Sequence, residues 1–223
     1  NITFLKSNIF DLQSNINIPI KNNTVFKAYN LMYKKYAFKQ PFNIILDKNI
    51  PLCSGLGGGS SNAACIIKML NQLNNLHLSN KEMLNIALQI GSDVPFFLKG
   101  GIQHVLGRGD NIKKYDKAKK IHSLLILLIF PEFQIRTKWA YNNLKKYLEP
   151  KIKSPKFPSL NNNADWKLFE NDFERVVGFT YPEIMDIKHI MYKNGALYSG
   201  LSGSGSTMFG LYNNKELITK SNN

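Results

Sequence analysis

Three features of this sequence predict an α+β fold with two lobes. Strand-length and helix-length apolar patterns alternate along the chain, but without the even spacing of repeated βαβ units. A charged stretch at residues 113–120 interrupts the apolar pattern near mid-chain and is the best boundary, dividing residues 1–118 from 119–223. The 223 residues, 43% of them hydrophobic, suffice for one large core or two smaller ones.

The first strong signal is a helix over residues 23–36. Val25, Ala28, Tyr29, Leu31, Met32 and Tyr36 fall at helical spacing, with Asn23 or Thr24 as N-cap. Residues 42–47 are β-rich and read as a strand. Glycine and serine dominate residues 51–61, which read as a loop. A second helix follows over residues 62–76, its apolar face made by Ala63, Ile66, Ile67, Leu70 and Leu73. Ser79 with Glu82 forms a capping box that opens a third helix, and Gly91 is placed to end it.

Residues 92–95 read as a turn before the apolar Phe96, Phe97 and Leu98, and Gly100 and Gly101 break the chain again. The apolar run at residues 124–130 has strand length and ends at Pro131. Residues 139–147 are helical, residues 150–158 form a polar connection containing proline, and residues 169–177 and 181–192 are helices, the second ending near Gly195. Strands at residues 197–199 and 208–212 flank a loop at 200–206.

Charge and composition exclude some functions. With 29 Lys and Arg against 15 Asp and Glu, the net charge is +14. The lysines are scattered, and their densest groups, residues 113–120 and 145–156, fall in polar, loop-like contexts. A solvated basic surface that steers anionic substrates is therefore favoured over a nucleic-acid interface. No run of 18 apolar residues occurs, so no transmembrane helix is expected. Cys53 and Cys65 match no zinc or CxxC spacing and suggest a reducing compartment. His77, His104, His122 and His189 stand apart from one another and read as structural or exposed.

The most informative segment is Pro51-Leu52-Cys53-Ser54-Gly55-Leu56-Gly57-Gly58-Gly59-Ser60-Ser61-Asn62. Glycines let a backbone approach a ligand, and amides of such a loop running into a helix gather toward one point, reinforced by the helix dipole. A phosphate chain is the natural ligand, and Ser60 and Ser61 add hydroxyls for phosphate oxygens or Mg²⁺. No Lys follows the glycines as a P-loop needs, and Ser60 stands where the dinucleotide fingerprint needs Gly. Asp93, after a helix end, reads from the residues alone as a turn-capping residue. Ser202-Gly203-Ser204-Gly205-Ser206 reads as a strand connection, and Phe133, Trp139 and Tyr141 at helical spacing read as core.

The segment from Pro51 through Gly55-Leu56-Gly57-Gly58-Gly59-Ser60-Ser61-Asn62-Ala63-Ala64 resembles the ATP-binding motif of the GHMP kinases (galactokinase, homoserine kinase, mevalonate kinase and phosphomevalonate kinase). Its triple glycine with Ser-Ser-Asn-Ala-Ala is similar to the branch that phosphorylates 4-diphosphocytidyl-2-C-methyl-D-erythritol in the non-mevalonate isoprenoid route. Gly91-Ser92-Asp93-Val94-Pro95-Phe96 resembles that branch's Gly-Ala-Asp-Val-Pro-Phe, and residues 201–207 resemble the superfamily's third motif.

The resemblance, spanning about residues 20–212, implies a GHMP kinase fold: an N-terminal lobe like ribosomal protein S5 domain 2 and a ferredoxin-like C-terminal lobe. It implies ATP with Mg²⁺. Residues 51–61, Asn23 and Lys48 would lie about the nucleotide, and Ser61 would touch the metal. Asp93 would be the catalytic base. Tyr141 would stack on the cytosine, with Thr137, Gly203, Ser204 and Gly205 on the substrate side. For Lys48 an exposed loop position is an equal reading. The partners implied are ATP and a cytidine-diphosphate-linked sugar alcohol, with no nucleic acid and no membrane, in a monomer or homodimer. The compartment expected is cytoplasmic, with a plastid left open.

The family's first motif, Pro-Ala-Lys-(Ile/Leu)-Asn, has no counterpart ahead of Asn23. The expectation is a chain that lacks this segment and its lysine, binds ATP weakly and has little activity. Ordinary kinase turnover by residues 1–223 would contradict it. The competing readings are a homoserine or mevalonate kinase, which a substrate panel separates, and a basic nucleic-acid-binding protein. The latter predicts a steep salt dependence of binding.

Overall fold

The computed structural model of the protein describes residues 1–38, 41–115, 121, 123–146 and 166–214. The chain divides into two units, Asn1–Pro51 with Gly57–Tyr115, and Leu52–Leu56 with Asp116–Asn223. Five residues of the glycine-rich segment thus group with the second unit, far from them in sequence.

In the first unit β1 (Ile2–Lys6), β2 (Asp11–Ser14) and β3 (Phe42–Leu46) form a sheet in the order β1-β3-β2. β1 runs antiparallel and β2 parallel to the central β3. Strand periodicity sends Phe42, Ile44 and Leu46 of β3 into the core while Ile45 is exposed. The same core holds Val25, Ala28, Tyr29 and Met32 of α1 (Thr24–Tyr36) and Ile66, Ile67 and Leu70 of α2 (Gly58–Leu73). It also takes in Ile86 and Ala87 of α3 (Asn80–Ile90) and Val94 of α4 (Val94–Lys99). β4 (Gln103–Leu106) and β5 (Asn111–Lys114) make a separate antiparallel hairpin.

In the second unit β6 (Leu125–Ile129), β7 (Tyr198–Leu201) and β8 (Met208–Tyr212) form an antiparallel sheet with β8 central. Against it pack α5 (Thr137–Leu144), α6 (Asp172–Thr180) and α7 (Glu183–Lys193). Ile135, Val177, Ile184, Met191, Met208 and Tyr212 fill the core between them.

The caps expected from the sequence form. Asn23 Oδ1 accepts from Val25 N at 3.0 Å, and the Ser79–Glu82 capping box closes both ways. Several boundaries differ. α2 begins at Gly58, four residues before the predicted start at residue 62, where Gly57 in the left-handed conformation (φ 65°) turns the chain into the helix. The poor helix propensity of Gly58 and Gly59 is offset by tertiary contacts, including a 2.7 Å hydrogen bond from Thr24 Oγ1 to the Gly59 carbonyl. Leu73, placed on the buried face of this helix, is 42% exposed. Gly91 closes α3 through its N–H to Ala87 in extended backbone (φ 177°), so no left-handed turn demands glycine there.

Residues 94 and 95, read as part of a turn, and the apolar residues 96–98 after them lie in one helix, α4. Pro95 suits a first helical turn, Val94 and Pro95 are buried, and Gln103 Nε2 donates to the carbonyls of Phe96 and Gly100 at 2.9 Å each. Gly200 and Leu201 belong to β7 rather than to the following loop, and Lys113 and Lys114, read as loop, pair in β5. β1, β2 and β4 carry no clear alternation and were not expected. The expected polar connection at 150–158, most of the lysine group at 145–156, the end of the helix predicted at 139–147, and residues 116–120 of the charged stretch lie outside the described residues.

Candidate active site

The glycine-rich segment contributes to each unit separately. In the first unit, Gly57 opens α2, and a Cβ on it would lie 2.6 Å from the Phe97 ring of α4. The first intrahelical bond of α2 runs from Ser61 N to the Gly57 carbonyl at 2.9 Å. The amides of Gly58, Gly59 and Ser60 therefore have no intrahelical acceptor, and they sit at the positive end of a 16-residue helix. Lys48 brings an ammonium to the same place, its Nζ 2.9 Å from where a Cβ on Gly58 would stand. Half-buried Lys48 has its pKa lowered from the ordinary lysine value, because burial strips water from the charge.

Asn15, which the sequence did not single out, holds Lys48. Lys48 N donates to Asn15 Oδ1 at 2.8 Å, and Asn15 Nδ2 donates to the Lys48 carbonyl at 3.2 Å and to Asp47 Oδ1 at 3.0 Å. Asn15 also lines a cavity of about 340 Å³ with Ser14, Ile16, Asn17, Ile18 and Asn23. Asn23 is 5% exposed, and its Oδ1 is committed to capping α1. The cavity, Lys48 and the start of α2 all belong to the first unit.

Asp93 is exposed just ahead of α4, and its side chain makes no capping hydrogen bond. The turn-capping reading of this residue is thereby removed. The β4–β5 turn buttresses it from behind, where a Cβ on Gly109 would fall 2.0 Å from the Ser92 carbonyl oxygen. The Gly-Arg-Gly-Asp run at residues 107–110 signals only a turn in the sequence. Ser61 Oγ donates to the Gly58 carbonyl at 3.0 Å, which leaves its oxygen lone pairs able to accept.

In the second unit, Leu52–Leu56 is fastened to the loop between β7 and β8. Ser206 N donates to the Cys53 carbonyl at 3.0 Å, Thr207 N to the Ser54 carbonyl at 3.2 Å, and Ser202 Oγ to the Gly55 carbonyl at 3.1 Å. Ser204 Oγ lies 3.4 Å from Thr137 Oγ1, joining this loop to the start of α5. The aromatic group divides in two. Phe133 stacks on Tyr181 with Trp139 edge-on, as core, whereas Tyr141 is 51% exposed and meets Phe173 edge-on at 4.9 Å.

Residues 23–101 match the GHMP kinases N terminal domain and residues 153–220 the GHMP kinases C terminal domain. The 4-diphosphocytidyl-2-C-methyl-D-erythritol kinase of Thermodesulfovibrio yellowstonii is 40% identical over 227 residues, covering 96% of this chain and 77% of that protein. This chain belongs to the GHMP kinase family. The enzyme of the same name from Chlorobium chlorochromatii is 35% identical to this GHMP kinase, over 96% of the chain and 76% of the relative.

Among solved structures, a 4-(cytidine 5'-diphospho)-2C-methyl-D-erythritol kinase superposes with a TM-score of 0.75 at 24% identity, covering 99% of this chain and 80% of that one. A homoserine kinase from Cytophaga hutchinsonii follows at 0.74 and 20%, covering 99% and 78%. At those identities the superpositions establish the fold, the two-lobed α+β arrangement of GHMP kinases. As a GHMP kinase the chain uses ATP as its phosphoryl donor. Among the described residues no helix is long and apolar enough to cross a membrane.

Proposed function

We propose that this GHMP kinase transfers the γ-phosphoryl group of ATP to the 2-hydroxyl of 4-diphosphocytidyl-2-C-methyl-D-erythritol, releasing ADP. The observation that carries the reading is the anion cradle of the first unit. Three unpaired amides at the head of α2 share one place with the Lys48 ammonium, beside the cavity lined by Asn15 and Asn23. That arrangement suits a triphosphate with its adenosine in the cavity. The relatives at 40% and 35% identity, both 4-diphosphocytidyl-2-C-methyl-D-erythritol kinases, support the acceptor.

Phosphoryl transfer asks mostly for positioning and charge neutralisation. The cradle holds the transferred group, and Asp93 takes the proton of the attacking hydroxyl, which must come within about 3 Å of the carboxylate. The uncommitted side chain of Asp93 leaves both oxygens available for this task. Tyr141 offers an exposed ring face for the cytosine, and exposed Thr137 and Gly203 are free to meet the acceptor, while Ser204 and Gly205 are buried behind them.

Mg²⁺ fits the donor set. Ser61 keeps lone pairs for a hard cation, and Mg²⁺ would otherwise be held by the substrate phosphates. When bound, it would supply charge neutralisation at the nucleotide phosphates.

Coupled ADP release tests the reading on the full-length protein, with 4-diphosphocytidyl-2-C-methyl-D-erythritol, homoserine and mevalonate as acceptors. Turnover with the first alone is expected. Turnover confined to homoserine or mevalonate would overturn the acceptor assignment and leave the kinase assignment standing.

A further inference from the structure

The loop between β7 and β8 is held from a direction no glycine motif indicates. Asn171, the residue before α6, makes three hydrogen bonds at once. Its Oδ1 accepts from Phe173 N at 3.0 Å, and its Nδ2 donates to the carbonyls of Leu201 and Gly203 at 2.8 Å each. The carboxamide has one workable orientation. Turned over, its oxygen would face two carbonyls and its NH₂ would face an amide N–H. Three residues on, Glu174 Oε1 accepts from Leu201 N at 2.7 Å, and its other oxygen pairs with Lys188.

The head of α6 therefore grips both ends of the Leu201–Gly203 turn. Ser202 of this turn and Ser206 further along the same loop in turn hold the glycine-rich segment, through Ser202 Oγ to the Gly55 carbonyl and Ser206 N to the Cys53 carbonyl. Ser204 of the same loop meets Thr137. A turn carrying left-handed glycines at 203 and 205 (φ 54° and 90°) has many alternative conformations, and only contacts from outside single one out.

We infer that Asn171 is a positioning residue for phosphoryl transfer, its carboxamide fixing the β7–β8 loop in the shape that serves the acceptor and the Leu52–Leu56 segment. The inference rests on the kinase reading above. Asn171 touches neither substrate nor reacting atoms in this role, and its effect passes through Ser202, Gly203 and Ser204.

The two duties of Asn171 separate chemically. Aspartate and serine both cap helices well, but neither can donate to the two loop carbonyls as the carboxamide does, and aspartate also repels them. Asn171→Asp and Asn171→Ser in the full-length enzyme are expected to lower kcat at least tenfold while the Tm moves by no more than a few degrees. The KM for ATP is expected to change less than twofold. Asn171→Gln, which keeps the donors on a longer arm, should recover part of the lost kcat. In amide hydrogen exchange, Asn171→Ser should speed the Ser206 and Thr207 amides at least tenfold and leave those of α2 unchanged.

Wild-type kcat in Asn171→Asp and Asn171→Ser, or a loss of activity that only tracks a fall in Tm, would overturn the inference and leave the kinase reading intact. If the wild-type enzyme phosphorylated none of the acceptors, the kinase reading would fail instead. The exchange experiment would then decide the clamp alone, with unchanged Ser206 and Thr207 exchange in Asn171→Ser overturning it.

Discussion

Gly55 and Ser202 approach each other so closely that a Cβ on Gly55 would lie 1.9 Å from the Ser202 carbonyl oxygen, while Ser202 Oγ donates to the Gly55 carbonyl at 3.1 Å. Gly55 also has φ 74°, a conformation costly for any side chain. Both penalties fall on the one substitution Gly55→Ala. Left-handed strain together with overpacking against backbone destabilises by roughly 2–5 kcal/mol. Ser202→Ala removes a single hydrogen bond, worth about 1 kcal/mol. Thermal denaturation of the two variants side by side checks the order: Gly55→Ala should melt well below Ser202→Ala, with kcat reduced more as well. A Gly55→Ala protein as stable as wild type would show that this contact does not shape the segment.

Asp93 stands uncapped and exposed, so its replacement should act on chemistry and little on folding. Asp93→Asn preserves size and the option of hydrogen bonding but removes the proton acceptor. Loss of a general base lowers kcat by about 10²–10⁴. Nucleotide affinity, read by titration with a fluorescent ATP analogue, is expected to stay within about twofold. Turnover at the wild-type rate would take Asp93 out of the role of base.

The contrast between these residues explains what was legible in the chain. Helices α1 and α3 announce themselves because their caps are local: Asn23 and Glu82 reach only two or three residues along the chain. The core strands β3, β6 and β8 show through their apolar runs. The start of α2 at Gly58 was hidden, since glycine favours loops unless distant partners such as Thr24 and Phe97 enforce helix. The grouping of Leu52–Leu56 with the second unit, Asn15 beside Lys48 and Gly109 beneath Ser92 depend on residues tens of positions apart. Such pairings leave no periodicity in a single sequence. Tyr141 and Trp139 show the same limit. Both fit a helical aromatic pattern, yet Trp139 turns to Tyr181 as core and Tyr141 is left exposed.

That exposure sets the expectation for Tyr141→Ala. The ring is half exposed and meets Phe173 edge-on, so removing it should cost little stability. A base stacked on an aromatic side chain gains about 1–3 kcal/mol, which corresponds to roughly a 5- to 150-fold rise in KM for the cytidine-linked acceptor. The KM for ATP should not change, and Tyr141→Phe should behave as wild type. Initial-rate measurements with each substrate varied in turn provide the check. Equal rises in both KM values would argue for a general disturbance of the second unit rather than a lost cytosine contact.

With its ammonium on the nucleotide as proposed, Lys48 is expected to give ATP binding a distinctive alkaline limb. Its pKa in the ligand-free protein lies below the ordinary 10.5 because burial disfavours the ammonium. A polyphosphate beside Nζ favours the ammonium and raises the pKa again. Below the lowered value, Lys48 is already charged and the nucleotide binds without proton uptake. Above it, each binding event must first recruit a proton, so affinity falls by up to tenfold per pH unit as pH rises through that value. For folding of the ligand-free protein the sign is opposite: the burial penalty weighs on the charged form and is relieved as pH rises. ATP affinity measured by calorimetry from neutral pH upward should therefore decline for wild type in a range where the nucleotide phosphates are already fully ionised. Lys48→Met keeps the aliphatic stem, lowers affinity at neutral pH and should flatten the alkaline limb. A wild-type affinity constant across this range, or the same slope retained in Lys48→Met, would place the ammonium away from the nucleotide.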